Sequence, residues 1–151
     1  MLELARESDW TAVNRLSVQI HDLHATWRPD LYFHSDEPYP HEAFLEDIQK
    51  KLVYVAWLDN MVVGYVTLAM FHRGGSGRVE EKVMRVESIC VEETLRGHGI
   101  GMEMVRDVRA LAKAFGCIRL ILGVHPENDD AVAFYQKCGF SVSTLNMTQK
   151  L

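Results

Sequence analysis

The sequence predicts a mixed α/β fold, in which a central sheet of six to seven strands is covered by about four helices. Three observations support it: strand-like and helix-like segments alternate, an Asp59-Asn60 turn joins two Val-rich runs, and a long amphipathic segment separates two later strands. The helix between those two strands should make them parallel, while the other strands pair as hairpins. Residues 1–151 contain no repeat or linker and are expected to form one domain.

The N-terminal half is predicted to contain a strand and two helices before the main sheet. Residues 2–4 alternate like a short strand, and Ser8 or Asp9 can cap the helix that follows. Prolines then interrupt the helical periodicity and create a loop rich in aromatic residues. A second short helix is expected over residues 40–51, because proline suits a helix start and lysines suit a helix end.

The C-terminal half is predicted to form most of the sheet. The expected elements are strands over residues 52–58, 61–71 and 79–91, a helix over 99–115, a strand over 118–124, a helix over 129–137 and a last strand over 140–145. A flexible glycine-rich connection is expected at residues 74–77. The strand over residues 118–124 is almost continuously apolar, which predicts burial on both of its faces.

Charge and composition limit the partners of the chain. The formal net charge is −5, so no overall positive field is available to attract nucleic acid. The first residues lack the basic and apolar regions of a signal peptide, and no apolar run reaches the roughly 18 residues that span a bilayer. We therefore expect a cytoplasmic protein that binds neither nucleic acid nor a membrane.

Cysteines and histidines give no metal signature. Cys90, Cys117 and Cys138 are odd in number and widely spaced, which fits neither a disulfide framework nor a paired zinc motif. His21 and His24 are three positions apart and lack the HExxH frame. Free thiols, a solvated histidine face and no bound metal are expected.

The clearest functional motif lies where the strand over residues 79–91 leads into the long helix. Residues 96–101 are Arg-Gly-His-Gly-Ile-Gly. A helix start presents unpaired backbone N–H groups, glycines let a phosphate approach them, and Arg96 adds a positive charge. The spacing matches neither a dinucleotide-binding GxGxxG turn nor a P-loop. An anion site therefore competes with a glycine-rich turn that binds nothing.

Four motifs together resemble the GNAT acyltransferase family. They are Ile89-Cys90-Val91, Arg96-Gly97-His98-Gly99-Ile100-Gly101, Asn128, and Ala133-Phe134-Tyr135 followed by Cys138-Gly139-Phe140. Their order and spacing agree over about the C-terminal half, while the N-terminal half agrees in element order only. In that family the two central parallel strands splay apart, so the same splay is expected here.

The resemblance implies that acetyl-CoA is the acetyl donor. The backbone amides of residues 97 to 101 would hold the CoA pyrophosphate, and the strand edge at residues 89 to 91 would pair with pantetheine. Asn128 would lie near the pantetheine arm and Tyr135 near the sulfur. The implied cofactor-binding residues are Ile89, Cys90, Val91, Arg96, Gly97, His98, Gly99, Ile100, Gly101, Asn128 and Tyr135.

The resemblance also implies direct attack of an amine on the thioester. Tyr135 occupies the family's general-acid position, and a phenol with a pKa of roughly 10 carries its proton at neutral pH. Glu87, on a strand face with Ile89 and Val91, resembles the acidic residues that deprotonate the acceptor in some members. His125 is the second candidate base. The alternative interpretations are that Glu87 is only a surface carboxylate and that His125 has only a structural role. Tyr32, Glu87 and His125 are expected to line the acceptor pocket.

The sequence leaves the acceptor open as a primary amine of a small molecule or a peptide. Gly123 stands where members that modify protein N-termini carry a glutamate, which argues against that class. The alternative function is a CoA-binding regulatory module without turnover, which would need the glycine turn but not Tyr135. The length of the acyl chain and the choice between a monomer and a homodimer do not follow from the sequence.

Overall fold

The structure, a computed structural model, describes residues 1–151. One sheet contains five strands in the order in which they occur in the chain. They are β1 (Leu2–Leu4), β2 (Val53–Leu58), β3 (Met61–Gly75), β4 (Arg78–Val91) and β5 (Arg119–Leu122). The first four strands pair antiparallel, and β4 and β5 are parallel. The predicted mixed α/β sheet is therefore confirmed, with five strands instead of six to seven.

Four helices cover the two faces of this sheet, as predicted. They are α1 (Trp10–Trp27), α2 (His41–Gln49), α3 (Ile100–Ala114) and α4 (Asp129–Lys137). One core lies under α1 and α2 and includes Phe44 and Tyr65, and the other lies under α3 and includes Met84 and Met104. Since these apolar side chains are almost fully buried, the sheet is held from both sides. No helix has both the length and the apolar composition needed to cross a bilayer.

The hairpins follow the predicted turns. Asp59 and Asn60 join β2 to β3 with φ values of 47° and 61°, the left-handed region that these residues tolerate. The second hairpin is longer than the sequence predicts, because β3 runs to Gly75 and β4 begins at Arg78. The segment predicted as a flexible connection thus consists of the end of β3 and a tight turn at residues 76–77.

The predicted last strand over residues 140–145 is absent, which is one correction to the fold. The helix α4 ends in a turn in which Gly139 has a φ of 86° and the Phe140 N–H donates to the Tyr135 carbonyl oxygen. Beyond it, Val142 and Leu145 are 69% and 82% exposed, so the segment has no apolar face to bury. Without this neighbour β5 is an edge strand, and its predicted burial on both faces is also wrong.

The parallel strands separate after a short paired stretch. Their register runs from Val83 opposite Arg119 to Val86 opposite Leu122. Past this point β5 ends, while β4 continues to Val91. The edge of β4 that faces β5 therefore lacks a strand partner over residues 87–91, which confirms the expected splay.

Candidate active site

The glycine turn at the start of α3 is open to an approaching ligand. Gly97 and Gly99 have φ values of 80° and 86°, and a Cβ added to either would meet no atom within 4 Å. Gly99 is also the N-cap of α3. The first backbone N–H groups of a helix have no partner within it, and they carry the positive end of the helix dipole. This turn can therefore bind an anion such as a phosphate.

The third glycine of the motif has a different task. A Cβ on Gly101 would lie 3.2 Å from the ring of Phe134 and 3.7 Å from a methyl group of Val91. The missing side chain lets α4 approach the first turn of α3 closely. Ile100, between the glycines, is 6% exposed and packs its side chain into the core under α3. Only the backbone of these two residues can face a ligand.

Arg96 and His98 shape the same turn from its exposed side. The Arg96 Nε donates to the Val91 carbonyl oxygen at 3.0 Å, which holds the guanidinium at the end of β4. The His98 Nδ1 lies 3.0 Å from the Arg96 carbonyl oxygen. Because Arg96 is held by a carbonyl, no carboxylate cancels its charge in this contact. The charge is therefore available to an anion.

The free edge of β4 passes directly into this turn. Ile89 and Val91 pack partly against the core under α3, and Cys90 points into the core under α1 and α2 with 3% exposure. Burial raises the pKa of the Cys90 thiol to about 11. Cys90 is therefore a neutral core residue at neutral pH, and only its backbone is available at this edge.

Tyr135 lies on α4, next to the residue that contacts Gly101. Its half-buried ring packs edge to face with Phe134 and Phe140, at centroid distances of 5.2 and 5.8 Å. Burial raises the pKa of Tyr135 to about 12, and the thiols of Cys138 and Cys90 add smaller effects in the same direction. Tyr135 is therefore a neutral proton donor at physiological pH.

Asn128 serves as the N-cap of α4. Its Oδ1 accepts a hydrogen bond from the Ala131 N–H at 3.1 Å. This contact leaves the side-chain NH₂ group to act as a donor. Asn128 thus fixes the start of the helix that carries Tyr135.

Glu87 is not placed as the sequence predicts. The register shifts between Thr67 and Leu68, so Glu87 is an extra residue in β4. Such a bulge moves the alternation of side chains by one position. As a result, Met84 and Val86 before the bulge and Ile89 and Val91 after it contact the same core. The interpretation that Glu87 simply shares a face with Ile89 and Val91 is therefore wrong.

The carboxylate of Glu87 is bound to a neighbouring arginine. Arg85 Nε donates to the Glu87 carboxylate at 2.6 Å. Arg85 alternates with Met84 and Val86, which face α3, and so it lies on the α1 side of the sheet. Glu87 is 41% exposed and reaches toward the same side. The structure thus leaves Glu87 accessible, at the point where β4 and β5 separate.

Tyr32 and His125 are brought together, as expected for one pocket. The Tyr32 hydroxyl lies 3.2 Å from the His125 Nε2 and links the loop after α1 to the loop after β5. Further rings join them in what we call the ring cluster, which consists of His21, His24, Trp27, Tyr32 and His125. No group of three or more His, Cys, Asp or Glu side chains is placed so that it could hold a metal ion.

The histidine at the centre of the ring cluster has an altered pKa. His24 lies 5.5 Å from the Tyr32 ring and 5.7 Å from the His125 ring, measured between centroids. Burial lowers the pKa of His24, and the nearby His125 and His21 lower it further. His24 therefore favours the neutral imidazole more strongly than an exposed histidine does.

A groove of about 450 Å³ continues from the glycine turn along α3 toward the end of α4. Three basic side chains and one acidic side chain are among the residues that line it. The lining residues are Gly99, Met102, Glu103, Val105, Arg106, Arg109, Lys137 and Cys138. The groove therefore extends the anion-binding character of the turn beyond the glycines.

Sequence reasoning missed the contacts that tie α1 to the glycine turn. The Gln19 Nε2 donates to the Glu92 carboxylate at 2.7 Å, and the Glu93 N–H donates to the Gln19 Oε1 at 3.1 Å. Arg15 forms an ion pair with the same glutamate. Gln19 and Glu92 are 73 positions apart, so no local pattern could have revealed the contact.

Comparison with known proteins agrees with this geometry. The sequence model of the Acetyltransferase (GNAT) family matches residues 18–140. A probable glucosamine 6-phosphate N-acetyltransferase from Oryza sativa subsp. japonica is 41% identical over 70 residues, which are 46% of this chain and 37% of that protein. A glucosamine 6-phosphate N-acetyltransferase from Arabidopsis thaliana is 30% identical over 82 residues, which are 50% of this chain and 53% of that protein. The chain therefore spans less than two thirds of the length of either relative.

Solved structures show the same fold over the whole chain. The tetramutant of the BH1408 protein from Bacillus halodurans has a TM-score of 0.95 at 23% identity, and the match covers 100% of this chain and 99% of that one. The aminoglycoside N-acetyltransferase AAC(6')-Iy in complex with CoA has a TM-score of 0.73 at 17% identity, covering 100% and 98%. At these identities the likeness establishes the fold.

Proposed function

We propose, from the premise that this chain belongs to the acetyltransferase (GNAT) family, that it transfers an acetyl group from acetyl-CoA to a primary amine. The acceptor is a small molecule or a peptide, and the amine attacks the thioester directly. One observation carries the proposal. The open glycine turn at the start of α3 follows the free edge of β4, and it contacts α4, the helix that bears the protonated Tyr135.

The residues of the turn fit the diphosphate of CoA. Gly97 and Gly99 leave room at the helix start, and Arg96 supplies a positive charge beside it. The basic groove along α3 suits the nucleotide end, and the unpaired backbone of residues 89–91 suits the amides of the pantetheine arm. When bound, acetyl-CoA supplies an activated acyl group on a thiolate leaving group.

Tyr135 then donates its proton to the leaving sulfur. A group that acts in this way must hold its proton until the C–S bond breaks, and burial ensures this for Tyr135 by favouring the neutral phenol. Backbone N–H groups near Ile89, on the free edge of β4, can donate to the thioester carbonyl oxygen and stabilise the charge that develops there.

Two groups are candidates for accepting the proton of the attacking amine. Glu87 is exposed where the strands separate, and Arg85 holds its carboxylate in one orientation. His125 lies on the loop after β5 and is oriented by the Tyr32 hydroxyl. The name of the rice relative makes glucosamine 6-phosphate one acceptor to assay.

The test is acetyl-CoA turnover over a panel of amines with wild type and Tyr135→Phe. We expect kcat to fall by about 100-fold or more in the variant, the usual effect of losing a general acid, with acetyl-CoA affinity unchanged. Tyr54→Phe is the matched control, because it removes a buried hydroxyl from β2, away from this site. If calorimetry shows that wild type and both variants bind acetyl-CoA, but turnover is equally negligible in all three, a regulatory CoA-binding module would be favoured.

A further inference from the structure

Aromatic rings line one wall of the acceptor side of the proposed site, and the arginines near this wall are bound to carboxylates. The ring cluster joins the end of α1, the loop after it and the loop after β5, with His24, Tyr32 and His125 at its centre. It lies on the α1 side of the sheet, where the Glu87 carboxylate also reaches. An amine bound against this wall would thus contact ring faces and edges, and Glu87 is an exposed carboxylate on the same side of the sheet.

Each arginine near this wall is already bound to a carboxylate. Arg28 binds Asp30 through two hydrogen bonds, of 2.9 Å from Nε and 2.7 Å from a terminal nitrogen. Arg85 binds Glu87, as described above. Arg15, which lies on α1 nearer the glycine turn, is bound to Glu92. A phosphate could engage one of these arginines only by displacing its carboxylate.

Two histidines of the wall are poorly suited to supply positive charge to a phosphate. Burial and its histidine neighbours lower the pKa of His24 and so disfavour its imidazolium. His34, at the outer rim, lies between two carboxylates, 2.8 Å from Asp22 and 3.0 Å from Asp36. Any charge on His34 is therefore compensated locally. Positive charge that is not paired with a carboxylate is found on the cofactor side, at Arg96 and at Arg109 and Lys137 in the groove beside α3.

We propose that the acceptor is a cationic amine that carries no phosphate or carboxylate group. This inference rests on the proposed function and names its substrate class. A phosphate monoester carries between one and two negative charges and would face Glu87 and Asp30, while Arg28 and Arg85 are bound to those carboxylates and the charge of Lys150 also acts on Asp30. A protonated amine is attracted by those carboxylates and by the faces of aromatic rings within about 6 Å. The chain thus differs in its acceptor from the relatives named for glucosamine 6-phosphate.

The sharpest test compares two sugars that differ by one group. Glucosamine and glucosamine 6-phosphate share the same amine and ring, so the ratio of their kcat/KM values isolates the phosphate. We expect kcat/KM for glucosamine to be at least about tenfold higher, because like charges oppose binding of the ester. A higher kcat/KM for the phosphate ester would overturn the proposal.

A variant that releases one arginine tests the cause. Asp30→Asn removes the carboxylate that holds Arg28, and it is expected to raise kcat/KM for glucosamine 6-phosphate relative to glucosamine by several fold. Glu46→Gln is the matched control, because it removes an exposed carboxylate paired with Lys50 on α2. An unchanged ratio in Asp30→Asn, or an equal change in the control, would contradict this account.

If neither sugar is acetylated, measurements of ligand binding test the proposal instead. Calorimetry on the CoA-saturated protein with glucosamine, glucosamine 6-phosphate and 1,5-diaminopentane should show binding of the two amines without phosphate and weaker binding of the ester. Tighter binding of the ester, or no binding of either cationic amine at millimolar concentrations, would overturn the proposal. The affinity for acetyl-CoA, measured separately, tells this failure from a failure of the proposed function.

Discussion

At the scale of single residues, Tyr135 shows how burial can fit a side chain to proton donation. Its ring lies between Phe134 and Phe140, and the resulting loss of solvent raises its pKa to about 12. An exposed phenol, with a pKa of roughly 10, would already be losing its proton in mildly alkaline solution. Tyr135 should therefore keep the proton that a departing thiolate needs over a wider range of pH.

The burial of Tyr135 should be visible in its titration. The ultraviolet absorbance of phenolate, taken as wild type minus Tyr135→Phe, should show no titration near pH 10 and should rise only toward a pH of about 12. The same pKa shift determines how the free energy of unfolding depends on pH. Between the two pKa values the unfolded chain loses a proton that the folded chain keeps, so the free energy of unfolding falls as pH rises. A difference spectrum with a midpoint near 10 would show that Tyr135 is exposed.

The site residues also show what a sequence can predict about single positions. The turn at Gly97 and Gly99 was predictable, because the property that matters is local: a glycine at a helix start leaves the backbone open. The task of Gly101 depends on Phe134, which comes from another helix. The orientation of Glu87 depends on a bulge in its pairing with β3. Both are set by contacts between distant segments, which no local pattern contains.

At the scale of elements, the two ends of α3 allow a controlled test of anion binding. Gly99 at the start and Gly116 after the end both have a positive φ, of 86° and 73°, and both have open space around an added Cβ. Glutamate at either position should therefore cost about 1 to 2 kcal/mol for the left-handed backbone. Only Gly99→Glu places a negative charge where the diphosphate is proposed to bind.

We expect Gly99→Glu to weaken acetyl-CoA binding by about 100-fold or more, since like charges in contact cost several kcal/mol. Gly116→Glu should bind acetyl-CoA normally. It should be at least as destabilised, because a negative charge at a helix C-terminus opposes the helix dipole. Calorimetry gives the affinities and thermal melts give the stabilities. Equal affinities in the two variants would argue against the proposed pyrophosphate site.

The elements that were predicted correctly are those whose signals are local. The strands β2 and β3 are Val-rich and joined by Asp59-Asn60, and α3 shows its helical period over the whole segment. The segment over residues 140–145 has some strand-like alternation too. A strand exists only if its backbone finds a partner, however, and this one lies beyond the turn at Gly139 with Val142 exposed. Pairing of that kind cannot be read from the segment itself.

At the scale of the whole molecule, a single sheet separates two cores. Phe44 represents the core under α1 and α2, and Met104 represents the core under α3; both are fully buried. The strands β2, β3 and β4 contribute side chains to both cores, because successive residues of a strand point to opposite faces. Loss of either core should therefore loosen the sheet that the other core needs.

We expect residues 1–151 to unfold as one cooperative unit, whichever core is weakened. Phe44→Ala should cost about 3 to 5 kcal/mol and Met104→Ala about 2 to 5 kcal/mol, the usual range for large buried side chains. In a chain of this size each kcal/mol lowers the melting temperature by about 2 to 4 °C. Differential scanning calorimetry of wild type and both variants should show one transition that moves down as a whole. Two transitions, of which each variant shifts only one, would instead show that the faces of the sheet melt independently and that the chain contains two folding units.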